Sequence, residues 1–144
     1  RQLIQRRAHV GVAQHRALAK LKPWHMTLQW DGGGYEGPAY LLSVCNTART
    51  GGFMMAPGAL LDDGQLDMVF APQVSKGQVI SILLKLMRGE HIHHPSVTFQ
   101  RVTAIDVTSR PGTPLHADGE IFAESAASVH YRVLPGKVTL ISKQ

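Results

Sequence analysis

A chain of 144 residues with a formal charge of +5 fits one domain and is long enough to bury a real core. Its apolar share of 44% is ordinary for a globular protein, which argues against a disordered segment. No apolar run approaches the roughly 20 residues that span a bilayer. The single cysteine, Cys45, cannot close an internal disulfide, so nothing points to an oxidising compartment. Its setting, "LLSVCNT", reads as a buried strand and a core thiol rather than a reactive one. No secretory signal pattern is visible. The chain opens on Arg1 inside a helix-like stretch, as expected of a piece of a longer protein.

Six of the fifteen basic side chains lie in the first 22 residues: Arg1, Arg6, Arg7, Arg16, Lys20 and Lys22. A basic surface favours anionic partners such as nucleic acid, phosphates or an acidic membrane face. It is equally the mark of a solvated helix face, and charge alone does not choose. The Ala, Leu, Gln and Arg content of 2–20, with no Pro before Pro23, predicts a helix there.

"WHMTLQWD" (24–31) alternates, with Trp24, Met26, Leu28 and Trp30 on one face, which is strand periodicity. "DGGG" (31–34) predicts a turn and "YEGPAYLLSVCN" (35–46) a second strand, so the two form a hairpin. The segment 47–64, "TARTGGFMMAPGALLDDG", holds too many glycines for a long regular element. Yet it carries Phe53, Met54, Met55, Leu60 and Leu61, and an apolar loop of this length is often functional. "QLDMVFAP" (65–72) alternates again as a strand. "SKGQVISILLKLMRGEH" predicts a helix near 75–88. Ser75 and Gln78 fit a capping box, and Gly89 supplies the stop. Val79, Ile82, Leu83, Leu86 and Met87 make one apolar stripe, which reads as core packing. From residue 96 the chain reads as strands: "SVTFQRVTAIDVTSR", a turn at "PGTP", "LHADGEIF", "SVHYRVLP" and "KVTLIS". The sum is mainly β with two helices, which fits a sandwich or a barrel.

Four groups of residues could carry chemistry. Asp62, Asp63 and Asp67 place carboxylates close together around an Asp-Gly turn. Mg²⁺ takes such oxygen donors together with carbonyls, although a plain turn needs the same residues. In "HADGE" (116–120), Asp118 and Glu120 are two apart and would face one way if extended. Such a pair can act as a general base or hold a metal; the plainer reading is a turn followed by a solvated Glu. In "HIHH", His91 and His93 have a zinc-like spacing if extended, but the expected reading is a surface or rim role. Met54 and Met55 suit an adaptable lipid-like or peptide surface, or simply a loop tucked into the core.

Taken in order, these pieces resemble the diacylglycerol kinase and sphingosine kinase-like lipid kinases. "NTARTGGFMMAPGALLDDGQLD" (46–67) is similar to the family's Asn-x₄-Gly-Gly…Pro-x-Ala…Asp-Gly-x-Leu run. "LHADGE" (115–120) matches its Asp-Gly-Glu, and "VHYRVLPGKVTLI" looks like its closing strand pair around a Pro. The family often has three glycines after the Asn, where this chain has Phe53 in the third place. The resemblance covers essentially the whole chain but only the C-terminal lobe of such an enzyme.

It implies a β-sandwich lobe over 1–144 that binds the lipid, with a separate N-terminal lobe binding ATP through a Gly-Gly-Asp-Gly-Thr loop that this chain lacks. No nucleotide-binding residue is therefore expected here, and the lobe alone should not turn over. Carried over by position, Glu120 is implied as proton acceptor with Asp118 beside it. Asp63 is implied as a Mg²⁺ ligand, completed by the backbone carbonyls of Leu60 and Gln65. The implied reaction moves the γ-phosphoryl group of ATP to a lipid hydroxyl, as in phospholipid biosynthesis. The implied place is cytoplasmic, peripheral at an anionic membrane surface. The alternative is a non-catalytic β-sandwich ligand-binding module. A nucleic-acid partner rests on charge alone, since no aromatic-rich basic strand motif is present. A homodimer is compatible with the sequence. All of this leans on the acids at 63 and at 118–120 sharing one edge of the lobe.

Overall fold

The computed structural model describes residues 21–139; the helix expected over 2–20 lies outside them. Six antiparallel strands are joined in one ladder: β1 Trp24–Trp30, β2 Gly33–Cys45, β3 Leu66–Pro72, β4 Thr98–Val102, β5 Ala104–Ala117 and β6 Glu120–Arg132. Their spatial order is β4-β3-β2-β1-β5-β6. One helix, α1 (Lys76–Leu86), and a short 3₁₀ turn (His91–His93) lie between β3 and β4.

The alternation in β1 does what its period demands. Met26 and Leu28 are buried while His25, Thr27 and Gln29 are exposed. In β3 the run Asp67–Ala71 is buried on both faces. Pro38 and a register shift between Ala39 and Leu41 divide the long strand β2. Its first half pairs with β1 and its second half with β3.

Connectivity forces this ladder to fold over. β4 and β5 stand four places apart in it, about 19 Å on a flat sheet. Only Thr103 separates them in sequence, and two Cα steps reach about 7.6 Å. The sheet therefore wraps round on itself, and its halves form the two layers of a sandwich. The corner is braced. The Asp31 carboxylate accepts from the Thr103 backbone N–H at 3.1 Å and its hydroxyl at 3.2 Å. The Thr103 hydrogen bond holds the Asp31 carboxyl below its ordinary range, against a desolvation that raises it. Trp30 Nε1–H donates to Gln100 Oε1 at 2.9 Å across the same corner.

Between the layers lie Met26, Leu28, Ala39, Met68, Phe70, Val102, Ile105 and Val107. The rings of Tyr35 and Phe70 meet at 4.6 Å between centroids. Cys45 is buried, as its setting predicted.

Several expectations change. "PGTP" is not a turn: β5 runs through it, with a register shift between Thr108 and Thr113. β1 pairs with β5 only from Ile105 to Ser109, so beyond Ser109 no described strand pairs with that side of β5, and a proline's missing N–H leaves no gap in that ladder. Second, "LHADGEIF" straddles the tip of one long hairpin, its first three residues ending β5 and its last three opening β6, and β6 continues without a break through "SVHYR" to Arg132. Third, residues 137–139 are not a strand, and the rest of "KVTLIS" lies outside the described residues. The helix cap is as predicted, with Ser75 and Gln78 bonding reciprocally. The stripe expected on α1 is split, however: no residue of the helix is fully buried, and Val79, Ile82 and Leu86 are half-buried while Leu83 and Met87 are exposed.

Candidate functional site

The β5–β6 hairpin ends in Asp118 and Gly119, with φ of +50° and +90°, between the paired residues Ala117 and Glu120. Positive φ at both central positions makes a two-residue turn of the type whose twist matches the flanking strands. Asp tolerates this conformation better than most side chains, and glycine takes it freely. Asp118 is thus committed to the turn and is not extended. The same-face argument for Asp118 and Glu120 fails, because it holds only along a strand. Glu120 opens β6 and is solvent-exposed. Beside it Ile121 and Phe122 are 65% and 77% exposed. The tip therefore presents two exposed carboxylates, Asp118 in the turn and Glu120 at the start of β6, next to bare apolar side chains.

A second set of acids surrounds the start of β3. The Asp63 carboxylate accepts the Gln65 backbone N–H at 3.0 Å, a local turn of the side chain onto its own backbone. Asp62 is exposed and Asp63 half-buried. Asp67 is fully buried and meets its cross-strand partner Arg101, whose Nε lies 3.4 Å from one carboxylate oxygen. Arg101 also donates to the Gly58 carbonyl at 3.1 Å, tying the apolar loop to β4. The other Asp67 oxygen is buried with no partner among the described residues. Burial pushes the Asp67 carboxyl up, the Arg101 contact opposes this, and the nearby Asp63 charge adds to the rise. The buried setting of Asp67 was the feature the sequence hid: alternation assigns it a face, but not that this face is covered too.

The Asp63 carboxylate and the backbone carbonyls of its turn are oxygen donors, the kind a hard cation takes. Among the described residues no group of three or more His, Cys, Asp or Glu side chains is placed to hold a metal. A cation here would therefore need backbone carbonyls or water in addition to Asp63.

These two sets of acids do not share an edge. A Cβ built on Gly64 would lie 3.6 Å from Pro135 Cγ, and Pro135 follows just after Arg132, the residue paired with Ala104 at the base of the hairpin. Glu120 pairs with Ala117 at the other end of the same ladder. Asp63 is thus at the base of the β5–β6 hairpin and Glu120 at its tip, a run of roughly 40 Å along the strand.

The histidines are also placed otherwise than expected. His91 and His94 are buried and only His93 is exposed. His91 and His93 sit in a 3₁₀ turn, so the extended spacing that would pair them for a metal is absent. His91 Nε2–H donates to the Met55 carbonyl at 2.9 Å, while its Nδ1 is buried without a partner among the described residues. Burial lowers the His91 pKa, against the Met55 hydrogen bond that raises it. His94 Nδ1 accepts the Ser96 N–H at 3.1 Å. Met54 and Met55 are half-buried, and Met54 Sδ would lie 3.1 Å from a Cβ on Gly89. The apolar loop is thus anchored at Met54, Met55 and Gly58, with Phe53, Leu60 and Leu61 left exposed.

Comparison with known proteins agrees with this architecture. A family model described as the YegS C-terminal NAD kinase beta sandwich-like domain matches residues 1–142. Proteins named diacylglycerol kinase from Staphylococcus aureus strains bovine RF122 / ET3-1 and Newman are each 30% identical over 104 residues, 72% of this chain and 33% of theirs. The chain thus spans about a third of the length of these relatives. A crystal structure of a diacylglycerol kinase from Bacillus anthracis str. Sterne superposes with a TM-score of 0.66 at 19% identity, covering 88% of this chain and 43% of that one. At that identity the likeness is one of fold. The chain belongs to the YegS C-terminal NAD kinase beta sandwich-like domain family and is homologous to the C-terminal part of proteins named diacylglycerol kinase.

Proposed function

We propose that this chain is the substrate-binding lobe of an ATP-dependent lipid kinase that phosphorylates a diacylglycerol-like hydroxyl. The observation that carries the reading is the hairpin tip, where the exposed Glu120 carboxylate is followed by exposed Ile121 and Phe122. An amphiphile with a hydroxyl head and an apolar tail matches that combination. The names of the homologous proteins support it.

In the proposed reaction the lipid hydroxyl oxygen bonds to the γ-phosphorus of ATP. The bond from that phosphorus to the β–γ bridging oxygen breaks, ADP leaves, and the hydroxyl proton passes to Glu120. Such transfer is mostly positioning and charge stabilisation. A carboxylate is a weak base for an alcohol, but in a loose transition state proton removal lags behind cleavage, so a well-placed one suffices. Asp118 acts as a positioning residue: its turn sets where β6 begins and hence where Glu120 stands. Met54 and Met55, on the anchored loop, offer an adaptable apolar surface to a lipid. ATP binds mainly to a part of the protein outside this lobe.

Mg²⁺ would be held here by Asp63 and the carbonyls of Leu60 and Gln65. Bound there, it supplies positive charge that fastens the 58–65 loop to β3. The protein would work at the cytoplasmic face of a membrane, as a peripheral protein or a homodimer. No described helix is long and apolar enough to cross one.

The test is phosphorylation of a lipid panel by the full-length protein with γ-labelled ATP and Mg²⁺. Labelled diacylglycerol or a close analogue is the expected result. Lipid binding without any labelled product would overturn the reading in favour of a non-catalytic module.

A further inference from the structure

On α1, Ile80, Leu83, Leu84 and Met87 are 43%, 49%, 66% and 71% exposed. They fall at i, i+3, i+4 and i+7, so they form one continuous outer stripe. The half-buried Val79, Ile82 and Leu86 turn the other way. Lys76 stands one turn before Ile80 and Arg88 one turn after Leu84, so cations flank the stripe at both ends. Residues 73–89 contain no acid; Glu90 is the first after the helix. The capping box uses Gln78 where Glu would serve as well. The helix therefore offers exposed apolar side chains edged by positive charge alone.

We infer that this outer face of α1 docks on an anionic lipid bilayer, with the apolar stripe in the acyl boundary and Lys76 and Arg88 at the headgroups. This combination of a leucine-rich stripe, basic edges and no acid is complementary to an anionic interface, and the long basic side chains can reach the headgroups while their stems stay in apolar surroundings. Four side chains on an eleven-residue helix are few beside the 20–30 residues that each side of a standard protein interface supplies. The face also leads somewhere: its C-terminal end abuts the apolar loop, where Gly89 lies against Met54 and Pro57. Docking α1 would set the methionine loop at the membrane surface. This rests on the lipid-kinase reading for its purpose, but not for its test.

The experiment uses the full-length protein with an environment-sensitive fluorophore on Leu84→Cys; the native Cys45 is buried. Phosphatidylcholine vesicles with and without phosphatidylglycerol are added. The expected result is a blue shift only with the anionic vesicles. In vesicle flotation, Leu84→Glu with Met87→Glu should lower bound protein at least ten-fold, and Lys76→Ser or Arg88→Ser about five-fold each. The proposal is overturned if the fluorophore is already shielded without vesicles. In that case another part of the protein, or a second copy detected by its mass in solution, covers the face. It is also overturned if flotation ignores both sets of variants. Turnover of a short-chain dispersed lipid separates the two readings. If docking fails but the kinase reading holds, that turnover persists; if the kinase reading fails, no lipid is phosphorylated while flotation still reports the surface.

Discussion

The sandwich body and the β5–β6 arm are built from the same strand and yet answer to different forces. Near its start β5 lies between β1 and β6, and Ile105 and Val107 enter the core. Past Ser109 it loses β1, and from Arg110 to the tip every side chain is exposed or half-buried. The body is held by burial on two faces and by the Asp31 corner. The arm is held by one ladder and a turn. The difference separates stability from the proposed chemistry: the carboxylate assigned to proton transfer sits where a substitution removes almost no packing.

The largest effect should come from the body. Met68→Ala, at a fully buried position, should lose about 2–5 kcal/mol of stability in urea unfolding. Phe122→Ala, at a side chain 77% exposed on the arm, should change it by no more than about 0.5 kcal/mol. Equal losses would mean that the arm is packed after all.

Metal binding sharpens the contrast between base and tip. Mg²⁺ at a hundred-fold excess over its dissociation constant should raise stability by about 2.7 kcal/mol. Asp63→Asn should abolish that gain, while Glu120→Gln should keep it. Loss of the gain in both variants would place the two acids in one site and contradict their separation along the hairpin.

A smaller effect tests the anchoring of the apolar loop. The folded pKa of His91 lies below its ordinary 6.5 because the ring is buried. The unfolded chain then takes up the proton more readily, so the His91 contribution is complete above pH 6.5 and is lost as pH falls through the lower folded value. The slope is at most about 1.4 kcal/mol per pH unit. His91→Gln should flatten that acid limb in melts followed across pH. Asp67 has the opposite sign: its folded pKa is raised above 3.8, so its contribution declines as pH rises through the window just above that value. Asp67→Asn should remove this decline.

Much of the fold could be read from the chain because it is local. Alternation in 24–30 and the "DGGG" turn specify the first hairpin, and Ser75 with Gln78 marks the helix start. What was hidden depended on neighbours. "PGTP" has turn composition, and only the absence of β1 beside it lets a strand pass through. The stripe on α1 says that one face is apolar but not what meets it. At the tip, "DG" announces a turn, but the positive φ of Asp118, which breaks the two-residue alternation with Glu120, follows from that turn and had to be weighed against the strand period. For Asp63 and Glu120 sequence spacing carried no distance, since the hairpin between them is as long as the lobe's longest strands.

The decisive measurement pairs kcat with melting temperature for Glu120→Gln in the full-length protein. A fall in kcat of about 10²–10⁴-fold, the usual range for a general base, with the melting temperature unmoved, is the result expected of a proton acceptor on a free arm. An unchanged kcat, or a loss that merely tracks a lower melting temperature, would contradict that assignment.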